Sequence, residues 1–401
     1  MALPAWAEDF NPDDDNRELL RDDSSGCETC LAAPPHEWDQ LPFDLDWSLA
    51  LRAAIVNGPS GAGHEAIAVP KVTLTQRTLR GGYDLGLEGE VTYNGDGTVR
   101  VNALRLTAGG DYALDAVTTA TGRANLDFSQ DAADDPDLPA NVLSAPLVIS
   151  GDAVASVSRK MGNFEFTLRG SAGRSVTGQT KFVDLSTSDN SDRNTTNFGA
   201  GGRIAVGLTP NLQAFIDADA VEELYDTISP SLLVKLDNLT TAGRVGLKTK
   251  WGEVLELEGS LGLAYRDFAE PVLGDVVAAL YDAQLTFRPN ETVTLGAAFT
   301  TTLSSPGSSS AATARLEYAA KADASYQVNT WLRLRASAGW SYAELIGTPS
   351  VDTGYSLGSG ADYLLNEHTD LTADYKFTRS EVTPDPAEDE HRFEVGITFH
   401  R

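Results

Sequence analysis

Four groups of residues have the types and spacing that chemistry needs. Cys27-Glu28-Thr29-Cys30 forms a C-x-x-C. Such a pair serves redox chemistry inside a βαβ unit, or zinc when two further ligands stand near. No βαβ pattern surrounds it, and His36 is the one extra ligand close by. The reading is a small-loop disulfide between Cys27 and Cys30 in an oxidising compartment, with redox or metal roles as the alternatives. Gly354-Tyr355-Ser356-Leu357-Gly358 matches G-x-S-x-G. A nucleophile elbow needs a strand, a sharp turn and a helix. This one lies inside an alternating stretch, with Tyr355, Leu357, Ala361 and Tyr363 on one face, so its glycines read as room on a wall. The five histidines (His36, His64, His368, His391 and His400) are scattered over turns, loops and ends. An Asp and a His at a barrel rim could form a hydrolytic pair, with His64 or His391 as the base. Nothing gathers them, so the expectation is no catalytic residue, no cofactor, no metal and no enzyme.

The fourth group is charge on a repeating polar face. Asp217, Asp219, Arg244, Lys248, Glu256, Glu258, Arg333 and Arg335 are the candidate lining of a wet lumen, with Lys250 beside them. Arg244, Lys248 and Lys250 precede Glu256 and Glu258 on the neighbouring strand. Arg333 and Arg335 are placed two strands from Asp362. Cross-strand pairing that stiffens a wall is the plain reading; a polarised lining that selects solutes is the functional one.

The elements that must position these charges are strands. Polar turns centred near residues 210, 251, 290, 329 and 367 recur every 38 to 41 residues. They read Thr209-Pro210-Asn211-Leu212, Trp251-Gly252-Glu253-Val254, Pro289-Asn290-Glu291-Thr292, Val328-Asn329-Thr330-Trp331 and Asn366-Glu367-His368-Thr369. A constant period points to one repeated supersecondary unit. Between the turns, Leu255, Leu257, Leu261, Leu263 and Tyr265 oppose Glu256, Glu258, Ser260 and Arg266. Leu316, Tyr318, Ala320, Ala322 and Tyr326 oppose Arg315, Glu317, Lys321 and Asp323. Period two marks a strand with one apolar and one polar face. A long sheet with one greasy and one charged side closes most simply into a barrel, its greasy side in lipid.

The fold class is therefore all-β: a transmembrane antiparallel β-barrel of about eighteen strands over 43–401, from 43–56 to 389–400. Pro70 breaks pairing locally in strand 66–79. Val99, Val101 and Ala103 lose phase to Leu104 and Leu106, which marks a bulge. Gly109-Gly110 separates strands 98–108 and 111–128. An even count puts both ends on one side. The long loops 129–145, 176–195, 224–238, 305–311 and 381–388 then share the other. Trp251, Tyr265, Tyr281, Tyr326, Trp340, Tyr342, Tyr355 and Tyr363 are read as interfacial girdles near strand ends.

The chain has 401 residues, with 30 Lys and Arg against 58 Asp and Glu, a formal charge of −28. That balance excludes nucleic acid as a partner, which wants clustered basic residues. No apolar run is long enough for a membrane-spanning helix. Ala5 and Ala7 before Glu8-Asp9 have the spacing of a signal cleavage site, so 1–7 reads as a signal-peptide remnant. Residues 8–42 are acidic and Pro-broken. They read as a disordered or extended periplasmic segment.

Taken together, the hairpin repeat, the Pro-Asn turns, the acidic lead and the alternating ending Phe393, Val395, Ile397 and Phe399 resemble the type 2 family of β-barrel porins of Gram-negative outer membranes. The resemblance covers about 43–401 and supplies no catalytic residues. It implies an outer-membrane barrel with both termini in the periplasm, and lipid and the barrel-assembly machinery as partners. The function it implies is a channel for polar solutes or polymers. The alternative is the outer-membrane part of a polysaccharide export machine with a periplasmic partner.

Overall fold

The computed structural model describes residues 43–401 apart from Ser60, Asp96, Thr98, 131–140, 307–311 and 384–385. The signal remnant, the segment 8–42, the Cys27–Cys30 pair, His36 and the acidic run Asp131–Asp137 lie outside the described residues.

Alternation from residue to residue becomes an antiparallel sheet of eighteen strands that closes on itself. In chain order the strands are β1 (Asp44–Gly58), β2 (Gly61–Thr78), β3 (Gly81–Asn94), β4 (Val99–Asp115), β5 (Thr118–Gln130), β6 (Val142–Ser144), β7 (Leu147–Met161) and β8 (Phe164–Thr177). They continue with β9 (Thr180–Phe182), β10 (Thr187–Ser188), β11 (Thr195–Thr209), β12 (Leu212–Tyr225), β13 (Asn238–Trp251), β14 (Leu255–Phe268) and β15 (Val276–Asn290). The last six are β16 (Val293–Ser304), β17 (Ala314–Asn329), β18 (Leu332–Ile346), β19 (Val351–Asn366), β20 (Thr369–Val382) and β21 (Glu388–His400). Each barrel strand pairs with its sequence neighbours, and β1 closes the ring against β21, with Ala53 opposite Val395. The short β6, β9 and β10 form a separate three-stranded sheet between the loops after β5 and β8.

Closure gives every barrel strand a partner on each side, which is what a bilayer demands of a sheet. The convex face carries Leu85, Leu87, Ile216, Val245, Leu261, Leu263, Leu357 and Val395, all exposed. An apolar belt on strand after strand is solvated by lipid rather than water.

One rim is built from tight turns. Asn290 Oδ1 accepts the N–H groups of Thr292 (3.0 Å) and Val293 (2.9 Å), and Asn329 Oδ1 those of Trp331 and Leu332 (3.0 Å each). Asn366 and Asp115 do the same for His368 and Val117. An Asx side chain that caps its own turn explains the repeating Asn of the sequence. The other rim carries the longer connections 131–146, 178–194, 226–237, 269–275 and 305–313.

Several local expectations hold. The β2–β3 ladder skips from Ala68–Val91 to Lys71–Glu88, around Pro70. The β3–β4 register shifts at Glu90/Val91, which leaves Asn102 as the extra residue of a bulge. Two boundaries differ. The turn expected at Gly109-Gly110 falls instead after Asp115, because the two glycines face Asp84 and Tyr83 inside an unbroken ladder. The connection between β1 and β2 is a two-residue turn, with Gly58 opposite Gly61. Trp340, Tyr355 and Tyr281 lie well inside β18, β19 and β15 rather than at their ends.

Candidate functional site

Along each strand the residues out of phase with the apolar belt point to the concave side, and there the charges meet. The proof of concavity is that partners come from strands that are not neighbours. Arg169 on β8 donates Nη1–H to Asp217 Oδ2 on β12 at 2.9 Å, its Nη2 also reaches Asp217, and Asp219 follows at 3.3 Å. Arg203 on β11 reaches Glu258 on β14 at 2.7 Å. Arg244 on β13 bridges Asp219 (3.4 Å) and Asp282 on β15 (3.0 Å). Side chains can span an intervening strand in this way only across the inside of the curve.

Two chains of pairs result. One runs Arg169, Asp217 and Asp219, Arg244, Asp282. The other runs Arg203, Glu258, Lys248, Glu256, Lys250, closed by Lys248 contacts of 2.8 Å to Glu256 and 3.3 Å to Glu258. The Arg203 guanidinium also sits 3.5 Å over the Phe215 ring, so its position is fixed from two sides. Asp217 is buried, which fits a carboxylate held by a forked guanidinium.

A second group lies across β18 to β20. Arg333 Nε donates to Asp362 Oδ2 at 2.8 Å, and Arg335 Nη2 reaches Asp362 at 2.7 Å and Asp374 at 2.9 Å. The expectation of a two-strand separation is corrected: β18 and β19 are adjacent, and Arg333 stands directly opposite Asp362. A third group joins Arg392 to Glu65 (2.9 Å) and Glu394 (3.3 Å), with Arg52 on Glu394 at 3.2 Å.

The structure thus places all eight lining candidates, Asp217, Asp219, Arg244, Lys248, Glu256, Glu258, Arg333 and Arg335, on the concave face. It adds Arg169, Arg203 and Asp282, which sequence reasoning did not single out. Their alternation phase could have found them, since each is in step with the polar face of its strand.

The G-x-S-x-G stretch has a structural role. Gly354, Ser356 and Gly358 on β19 stand opposite Ser341, Gly339 and Ser337 on β18. Each serine hydroxyl lies where the facing glycine's Cβ would be. The two strands interlock serine over glycine three times, and Ser356 serves that packing. Of the histidines, His391 Nδ1 pairs with Tyr375 Oη at 2.8 Å on the convex face. His400 Nδ1 lies 3.5 Å from Asp370 at the short-turn rim. Among the described residues no three His, Cys, Asp or Glu side chains gather as a metal site.

At the long-loop rim Arg174, at the end of β8, grips Asp226 in the loop 226–237, with Nη1 at 2.7 Å. That hydrogen bond holds the Asp226 carboxyl below its ordinary range.

A protein-family model described as "Putative beta-barrel porin 2" matches residues 55–401. No curated protein sequence matches the chain. Among solved structures, OccK5 (OpdH) of Pseudomonas aeruginosa is 15% identical with a TM-score of 0.44, over 89% of this chain and 98% of that one. The outer membrane protein OpdK of the same organism is 10% identical with a TM-score of 0.47, over 89% and 99%. Its siderophore receptor PirA is 11% identical with a TM-score of 0.43, over 89% and 80%.

Proposed function

The chain belongs to the beta-barrel porin 2 family, a porin-like outer-membrane barrel, and from that premise we propose that it passes polar solutes or polymers between periplasm and exterior through the charged inner wall. One observation carries the reading. Below an apolar cluster of Tyr225, Phe268 and Val276 at the long-loop end, the concave face is lined by ion pairs separated by small residues, Gly199, Gly201, Ser337, Gly339, Gly358 and Gly360 among them. Charges in that number stay ionised only beside water or one another. Eighteen strands enclose a width at which other barrels hold an aqueous channel.

The orientation follows from the rims. Tight turns and both strand ends of the ring, Asp44 and His400, share one side, which we assign to the periplasm together with the N-terminal segment. A tag in 178–194 is then reachable on intact cells, and a tag at Asn329 is not. Lipid and the barrel-assembly machinery are the partners this placement requires.

Planar-bilayer recording tests the channel directly. The full chain conducts, with cations favoured at low salt because acidic residues exceed basic ones by 28 (58 against 30), and with that preference fading as salt rises. A folded barrel that passes no current, with or without residues 8–42, overturns the channel. It would leave a structural part of an export machine that acts through a periplasmic partner.

A further inference from the structure

At the long-loop end one part of the wall is doubled. The β15–β16 ladder runs from Asn290–Val293 to Ala283–Phe299 and stops there. Above it β15 stays paired with β14 as far as Val276, and β16 with β17 as far as Ser304. The upper half of β16 has moved to the inside. Thr301, on the outward phase of β16, closes the seam by accepting the Tyr281 N–H at 3.1 Å and donating to the Tyr281 carbonyl at 3.0 Å. Leu303, on the same phase, packs with Tyr225, Phe268 and Val276. Those three lie on the concave phase of β12, β14 and β15. An outward-phase residue can meet concave-phase residues only when its strand lies within the ring.

Polar groups fix this inner layer from behind. Arg266, on the concave phase of β14, donates to the carbonyls of Leu303 and Ser304 at 3.0 Å each. Its Nε is anchored on Thr240 Oγ1 at 2.9 Å. The Ser305 hydroxyl donates to Glu223 of β12, over β13, β14 and β15. A hydrogen bond that passes over intervening strands in this way is a chord of the ring.

What lies behind the layer is dry. Ala242, Ala264 and Ala278 form one row on the concave phase of β13, β14 and β15. Ala242 is partly exposed, whereas Ala264 and Ala278 are each 3% exposed. Arg266 and Leu280 beside them are 4% and 2% exposed. Lower on β14 the same phase is partly exposed again, at Glu256 and Glu258.

We propose that this inner layer, the upper halves of β16 and β17, is the constriction of the passage and sets which solutes enter at the long-loop mouth. Stacked strand layers lie about 10 Å apart, so the layer takes about that much from the width of the mouth. It turns Thr302, Arg315 and Glu317 toward the remaining opening, and Arg315 bonds both Glu317 and Asp352 of β19, which holds the layer's inner face against the single wall beyond it. Compact polar solutes pass this level and meet a wider charged lumen below. The proposal rests on the reading of the protein as a channel.

The test uses single cysteines in the full chain, in a Cys27→Ser and Cys30→Ser background, with heat-modifiable gel migration as the check of folding. Against a charged thiol reagent Ala242→Cys reacts, while Ala264→Cys and Ala278→Cys, in the same row, are protected. In planar bilayers a bulky thiol reagent on Thr302→Cys removes most of the current. On Thr294→Cys, which shares that face of β16 below the layer, the same reagent leaves most of it. Reaction of Ala264→Cys and Ala278→Cys at the rate of Ala242→Cys overturns the proposal, as does a block at Thr294→Cys equal to or greater than that at Thr302→Cys. A barrel that passes no current before any reagent is added overturns the channel, while protection of Ala264→Cys and Ala278→Cys leaves the inner layer standing.

Discussion

Two seams of one barrel, β18–β19 and β15–β16, solve the same problem in opposite ways. The first runs paired from Leu332–Tyr363 to Glu344–Val351 without interruption. Its three Gly–Ser contacts let polar side chains lie flat over the backbone, so the strands approach with nothing between them. The second stops halfway, and its loose backbone groups are taken over by Thr301 and Arg266. In lipid an unpaired backbone group is too costly to leave. A ladder can stop, then, only where the sequence supplies a hydroxyl or a guanidinium at the right register to close the seam in its place. The comparison separates a seam closed by its backbone from a seam closed by side chains.

The largest effect expected is at Arg266. Arg266→Met keeps the length of the side chain but abandons two carbonyls and the Thr240 hydroxyl in a buried place, at a cost of about 3 kcal/mol. Reversible urea unfolding in lipid vesicles measures it. A loss below about 1 kcal/mol would mean that the end of β16, at Leu303 and Ser304, needs no anchor.

The intact seam gives the intermediate effect. Gly358→Ala sets a methyl against Ser337 Oγ and costs about 1–3 kcal/mol through overpacking. Exchanging the partners, Ser337→Gly with Gly358→Ser, keeps one hydroxyl over one glycine and returns stability close to wild type. A double-mutant cycle without coupling would show that the interlock contributes nothing.

Much of this was legible in the alternation of the chain. Eighteen strands, both rims, the break at Pro70 and the bulge before Leu104 all follow from phase, because a period of two is enforced by the pleat and by one face being in lipid. The eight lining charges could be placed on one face for the same reason. Pairs on neighbouring strands were legible too, Lys248 and Lys250 with Glu256 and Glu258 among them, but pairs that skip a strand were not. Arg203 meets Glu258 across two intervening strands, a relation set by the curvature of the ring and invisible to a linear pattern. The interruption of the β15–β16 ladder was hidden too. Thr301 holds an apolar-phase position between Phe299 and Leu303, inside Thr300-Thr301-Thr302, and that polar interruption alone does not report that its hydroxyl replaces a ladder bond. Gly109-Gly110 misled in the opposite sense, as glycines that resemble a turn but make room for Asp84 beside them.

The smallest effect lies at the long-loop rim, where Arg174 ties Asp226. Asp226 has a lowered folded pKa, so its stabilisation is present above the ordinary carboxylate pKa and is lost as pH falls through the depressed folded value. Asp226→Asn therefore weakens the acid dependence of loop stability, read as protease cleavage within 226–237 against pH. Since the pair is exposed, the shift is modest, and equal pH profiles for variant and wild type would assign the loop's order to its apolar contacts instead.

The central claim is that one face of every strand is wet and the other lies in lipid. Single cysteines along β13, in a Cys27→Ser and Cys30→Ser background, test it most directly with a charged, membrane-impermeant thiol reagent on protein in lipid vesicles made permeable to the reagent. The account predicts reaction at Ala242, Arg244 and Gly246 and protection at Gly243, Val245 and Leu247. Equal reaction at both sets, or protection of the first and reaction of the second, would contradict it.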